Sequence, residues 1–87
     1  MATYIVLTNF TDQGIRNVKE TTKRADAVRE AAKKFGVTLK ECFWTLGNYD
    51  LVLIFEAPDD ASMTAVGLNV GAAGNVRTQT LRAFSKE

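Results

Sequence analysis

The sequence predicts an α+β domain in the order strand, helix, strand, strand, helix, strand, with both helices on one face of a four-stranded antiparallel sheet. Three observations lead there. Runs rich in β-branched and aromatic residues occupy residues 3–10, 38–57 and 75–84, and the middle run is long enough for two strands. Between them lie two segments whose apolar residues recur at spacings of three and four, the period of a helix. Gly47-Asn48 interrupts the middle run with residues suited to a tight turn.

Residues 3–10 form the first strand, with Ile5 and Leu7 in one alternation set and Tyr4, Val6 and Phe10 in the other, so both faces call for cover. Thr11 and Asp12 open a helix whose stripe is Ile15, Val18, Thr22, Ala25, Val28, Ala32 and Phe35. Gly14 and Thr21-Thr22 are weak helix formers and mark a separate short helix or a bend. Gly36 ends the segment. Pro58-Asp59-Asp60 places acidic groups at the positive end of the second helix, whose stripe is Met63, Val66, Gly67 and Val70. Gly67 and Gly71 stand one turn apart, which predicts a close approach to the sheet. The last strand, residues 75–84, is more polar than the hairpin and suits an edge.

In the hairpin, a two-residue type II′ turn at Gly47-Asn48 sets Leu46 opposite Tyr49, Trp44 opposite Leu51, Cys42 opposite Leu53 and Lys40 opposite Phe55. That side is almost wholly apolar and belongs under the helices. The reverse side carries Glu41, Phe43, Thr45, Asp50, Val52, Ile54 and Glu56, apolar in the middle with carboxylates toward its ends. Two helices cover one face only, yet the first and third strands, placed centrally, are apolar on both. A second sheet is therefore expected on the open face, which makes the protein a homo-oligomer, most simply a dimer.

Composition points the same way. A chain of 87 residues is one domain, residues 1–87, and buries only roughly 60% of its unfolded surface. With one Cys and no His, disulfides and His-based metal sites are not available to reinforce it, which leaves association. The lone Cys and the start at Met1 without a signal peptide predict a cytoplasmic protein. The longest uncharged run, residues 61–76, is shorter than the roughly 20 residues of a spanning helix, so no membrane segment is expected. Eleven basic and ten acidic side chains give a net charge of +1, without the footprint of a nucleic-acid binder. Lys19, Lys23, Arg24, Arg29, Lys33 and Lys34 are interleaved with Glu20, Asp26 and Glu30, and Glu20–Arg24 and Glu30–Lys34 have favourable helical spacing.

The element order is the split βαβ pattern of ferredoxin-like domains. Gly47-Asn48-Tyr49-Asp50 resembles the G-x-Y-D motif of the GYD-domain family. The opening Tyr4-Ile5-Val6-Leu7 followed by Thr11-Asp12-Gln13-Gly14-Ile15 is similar to that family's amino terminus, and Gly74-Asn75-Val76-Arg77-Thr78 with Thr80-Leu81-Arg82-Ala83-Phe84 to its carboxyl terminus. The resemblance covers nearly the whole chain and implies a dimeric α/β barrel, two sheets packed face to face around a lumen. It supplies no catalytic residues.

Candidate chemistry centres on the open face. Asp50 is either a ligand anchor or base there, or a strand-start residue capping backbone donors, with Tyr49 then a ring on the core side. Thr45 and Asp50 near the turn, Glu41 and Glu56 toward the far end, and Phe43 between them would form a small-molecule site in the lumen, with Arg77 a candidate anion anchor on the last strand, where Arg82 has the opposite parity so that at most one of the two enters the lumen. Glu41 and Glu56 are also ordinary solvated strand ends. Cys42, without a His to activate it, reads as an inert thiol among apolar neighbours. Gly67, Gly71 and Gly74 end a helix instead of opening one, so they do not form a phosphate-binding loop. No cofactor is implied. These residues support a binding or assembly module; a cofactor-independent enzyme working in the lumen and a ligand-dependent signalling module remain the alternatives.

Overall fold

The computed structural model describes residues 1–86. Its strands are β1 (Ala2–Phe10), β2 (Thr38–Trp44), β3 (Leu51–Ala57) and β4 (Val76–Ala83). Its helices are α1 (Asp12–Arg16), α2 (Thr21–Lys33) and α3 (Asp60–Ala72), with a 3₁₀ turn, Val18–Glu20, between the first two. The sheet order is β2-β3-β1-β4, antiparallel throughout, so the two strands with the richest apolar content are central and the polar last strand is an edge.

The alternation of the strands sorts the residues. Tyr4, Val6, Leu51, Leu53 and Phe55 are buried beneath the helices together with Leu39, Met63 and Val66. Each large side chain fully buried this way is worth about 1.5–3 kcal/mol. Ile5 and Leu7 point the other way, paired with Ile54 and Val52 on β3 and with Leu81 and Gln79 on β4.

Each helix start has a sequence-encoded cap. Thr11 Oγ1 accepts from Gly14 N at 3.1 Å, and Asp59 Oδ1 from Ser62 N at 2.8 Å. The Ser62 backbone and side-chain donors hold the Asp59 carboxyl below its ordinary range. The predicted break in the first helical segment is present, and it leaves Ile15 and Val18 exposed; Phe35, beyond the end of α2, is exposed as well. Only the Val28–Ala32 portion of that stripe joins the core. Gly36 has φ of +73°, and Val37 N bonds back to Ala32 O at 3.0 Å, closing α2 as expected.

Four expectations are corrected. The hairpin closes through residues 45–50 and not through a two-residue turn: Thr45 N donates to Asp50 O at 2.8 Å, and Gly47 has φ of +102°. The wider loop is symmetric, so Trp44 still faces Leu51 and Cys42 still faces Leu53, while Trp44 itself stays 46% exposed. Further along, an irregularity between Leu39 and Glu41 puts Leu39, not Lys40, opposite Phe55, and Thr38 opposite Glu56.

Gly67 and Gly71 are not close-approach glycines, since a Cβ on either meets nothing within 4 Å. The tight contact is at Gly14, where a Cβ would lie 1.9 Å from Asn75 O. Around it Thr11 N donates to Asn75 O at 3.1 Å and Thr11 Oγ1 to Gly74 O at 2.6 Å, latching the exit of β1 to the entry of β4. Arg24 is drawn into the same junction, donating to Asn17 O at 2.9 Å and Gly14 O at 3.2 Å in place of a pair with Glu20. Lys23 takes Glu20, and Lys33, not Lys34, takes Glu30.

Candidate functional site

The open face of the sheet is lined at its centre by Ile5 and Leu7 of β1, Val52 and Ile54 of β3, Phe43 of β2 and Leu81 of β4. Phe43 is 50% exposed and Leu81 41%. This apolar patch, contributed by all four strands, is left uncovered by the chain's own helices.

The sequence-predicted site residues are arranged around that patch in two groups. Thr45, Asp50 and Arg77 lie at the loop end of the sheet: Arg77 pairs with Asn9 on β1, one residue from Phe10, whose N–H donates to Asp50 Oδ2 at 2.9 Å. Arg77 shares its face with Gln79 and Leu81, whereas Arg82 points to the helix side and meets Asp60 at 3.6 Å. Phe43 lies on the patch. Glu41 is opposite Ile54, and Glu56, at the far end, pairs with Lys40 at 3.5 Å. The six do not converge within the chain.

The loop is braced from all sides. Asp50 N donates to Thr8 O at 2.9 Å while its carboxylate caps Phe10 N, so one residue satisfies both a donor and an acceptor of β1. Thr45 Oγ1 donates to Tyr49 O at 2.5 Å, and Asn9 Nδ2 to Asn48 O at 2.7 Å. Tyr49 is not on the core side: its hydroxyl donates to Gln79 Oε1 at 3.4 Å, which lays the ring across the open face. Leu46, at the tip, is fully exposed.

On the helix side, Tyr4 donates its hydroxyl to Asp60, and that carboxylate together with burial raises the Tyr4 pKa. Burial likewise pushes the half-buried Cys42 thiol up, away from a nucleophile's range. Among the described residues no His, Cys, Asp and Glu gather in a metal-holding group, and no helix is long and apolar enough to cross a membrane. A cleft of about 360 Å³ opens between α2 and α3, and none of the six predicted residues lines it. Sequence reasoning missed this cleft and the Gly14 contact. One signal was available: Thr8 shares the parity of Tyr4 and Val6, which places a hydroxyl on the core side.

The fold defines a ferredoxin-like module, a split βαβ sheet with its helices on one face and an uncovered apolar surface on the other. Within that class the particular family follows from comparison. The GYD domain pattern matches residues 4–87, and the chain belongs to the GYD domain family. A glutamine synthetase and cystathionine beta-lyase binding protein from Thermus thermophilus is 36% identical over 85 residues, 97% of this chain and 90% of that protein. A protein of known structure, also from Thermus thermophilus and 26% identical, superposes with a TM-score of 0.65 over 100% of this chain and 98% of its own. A feast or famine regulatory protein from M. tuberculosis, solved with L-methionine, shares the fold at a TM-score of 0.75 and 14% identity. The present chain is covered to 99% in that superposition and spans 52% of the regulator.

Proposed function

We propose that this protein is a homo-oligomeric binding module that pairs through its open sheet face and docks on metabolic enzymes. The observation that carries the reading is the apolar centre of that face, the exposed Phe43 and Leu81 with the half-buried Val52, Ile54, Ile5 and Leu7. The relative named for binding glutamine synthetase and cystathionine beta-lyase supports enzymes as the partners. Stacking a second sheet on this face would wall a lumen with Phe43, Val52 and Ile54, with Thr45, Asp50 and Arg77 at one end and Glu41 and Glu56 toward the other. That lumen would suit a small, mostly apolar molecule. Leu46, on a loop braced by Thr45, Asn9 and Asp50, is the side chain a partner enzyme would meet first.

Light scattering after size exclusion tests the first half, with a mass of at least twice 9.6 kDa expected. Immobilised glutamine synthetase and cystathionine beta-lyase test the second, with binding lost in Leu46→Ser. A monomer would remove the sheet-face pairing, and the absence of binding to either enzyme would remove the docking role.

A further inference from the structure

The cleft between α2 and α3 lies on the opposite side of the sheet from the proposed pairing face, and an inference drawn from it stands independently of that proposal. Its floor includes Leu51 and Leu53 and its walls include Val28 and Val70. At about 360 Å³ it falls in the range of small-ligand sites, and water inside it would face mainly hydrocarbon.

Of the polar residues in that lining, which include Thr21, Asn69 and Asn75, two carry the argument. Thr8 is only 1% exposed, and its Oγ1 finds no hydrogen-bond partner among the described residues. A buried hydroxyl is ordinarily paired, so an orphan on the wall of a cleft points to a partner supplied from outside the chain. The second group is the Arg24 guanidinium. It is fixed by the Asn17 and Gly14 carbonyls and lies 5.8 Å from the centroid of the Phe10 ring. Its five N–H donors exceed those two acceptors, and among the described residues no carboxylate lies within ion-pair distance of it. A positioned cation with donors to spare, beside an apolar cleft, is suited to a carboxylate carried on a hydrocarbon body.

We propose that this cleft binds a small carboxylic acid, its carboxylate on Arg24, its apolar body between α2 and α3, and Thr8 bonding to a second polar atom of the ligand. A cavity of about 150 Å³ holds a benzene, so this one takes a body of about ten to fourteen heavy atoms.

Decanoate is the probe, titrated below its micellar concentration into methyl-labelled protein and followed by NMR. The expected result is saturable shifts at the Val28, Val70 and Leu53 methyls, with decanol at least tenfold weaker. Arg24→Gln should weaken decanoate at least tenfold and leave decanol unchanged. Thr8→Val should leave decanoate, which has no second polar group, nearly unaffected and weaken 10-hydroxydecanoate several-fold. Ala31→Phe, which fills the cleft, should abolish binding of both acids without lowering the melting temperature. If Arg24→Gln does not fold, the decanoate and decanol comparison on the parent protein still decides. Equal affinity for the acid and the alcohol, shifts confined to Ile5, Val52 and Ile54, or no saturable shift at millimolar decanoate would each overturn the proposal.

Discussion

Leu53 and Val52 are neighbours on β3 with similar side chains and opposite situations. Leu53 is buried beneath α2 and α3, while Val52 is half-buried on a face that no element of the same chain covers. The same holds for Val6 and Leu7 on β1. The central strands are thus apolar on two faces, one covered in cis by the helices and one that a second copy would cover under the proposed pairing. The cover in cis is itself incomplete, because it leaves a cleft. The difference teaches that apolar content sets how many faces need burying, whereas the count of helices sets how many the chain can bury alone.

The largest effect should come from lysine on either side of β3. Leu53→Lys puts an unpaired charge in the core and should abolish the cooperative unfolding transition, since such a charge costs several kcal/mol. Val52→Lys should keep that transition and reduce the mass seen by light scattering. If both variants unfold, or neither does, the two faces are not distinct in the way described.

Next in size is Gly14→Ala. The added methyl would lie 1.9 Å from Asn75 O, a backbone atom that cannot swing aside, so a loss of roughly 1–3 kcal/mol in denaturant titration is expected. Gly67→Ala, by contrast, meets nothing within 4 Å and should gain up to about 1 kcal/mol from helix propensity. Asp50→Asn keeps an acceptor for Phe10 N but removes its charge, for an expected loss of about 1 kcal/mol by the same titration.

The smallest effect is pH-dependent. The folded-state pKa of Asp59 is lowered, so its cap contributes fully above the unfolded value of about 3.9 and is lost as the pH falls through the lower folded value. Asp59→Ala should therefore melt below the parent protein at pH 7, and the two melting temperatures should converge in acid below about pH 4.

Much of this architecture was legible before any coordinates. Alternation in β1 and β3, the caps at Thr11 and Asp59, and the apolar stripe of α3 are local signals, each read within a few residues. The pairing of Trp44 with Leu51 was legible because any symmetric loop preserves it. What escaped was non-local. Gly14 looked like a weak helix former because its reason, Asn75, lies at the far end of the chain. Gly67 and Gly71 suggested tight packing because a pattern of glycines records permission for contact, not contact itself. The cleft is a shortfall of volume summed over two helices and a sheet, and no single stretch of sequence carries it. For the candidate site, the capping role of Asp50 followed from its residue type and position, while the crossing of Tyr49 to Gln79 depended on a loop wider than the turn chemistry suggested.

The irregularity at Lys40 has a consequence for how such a protein avoids polymerising. β2 is an outer strand, and a regular outer strand offers its free N–H and C=O groups to any other β-segment, including the same strand of another copy. The extra residue breaks that row of donors and acceptors, and the exposed Lys40 adds a charge beside it. Endless growth by adding strand to strand is discouraged at that border. Under the proposed pairing the apolar centre of the open face would be the surface for self-contact, and contact through one such face about a two-fold axis closes on itself, which would favour a discrete particle over a fibre.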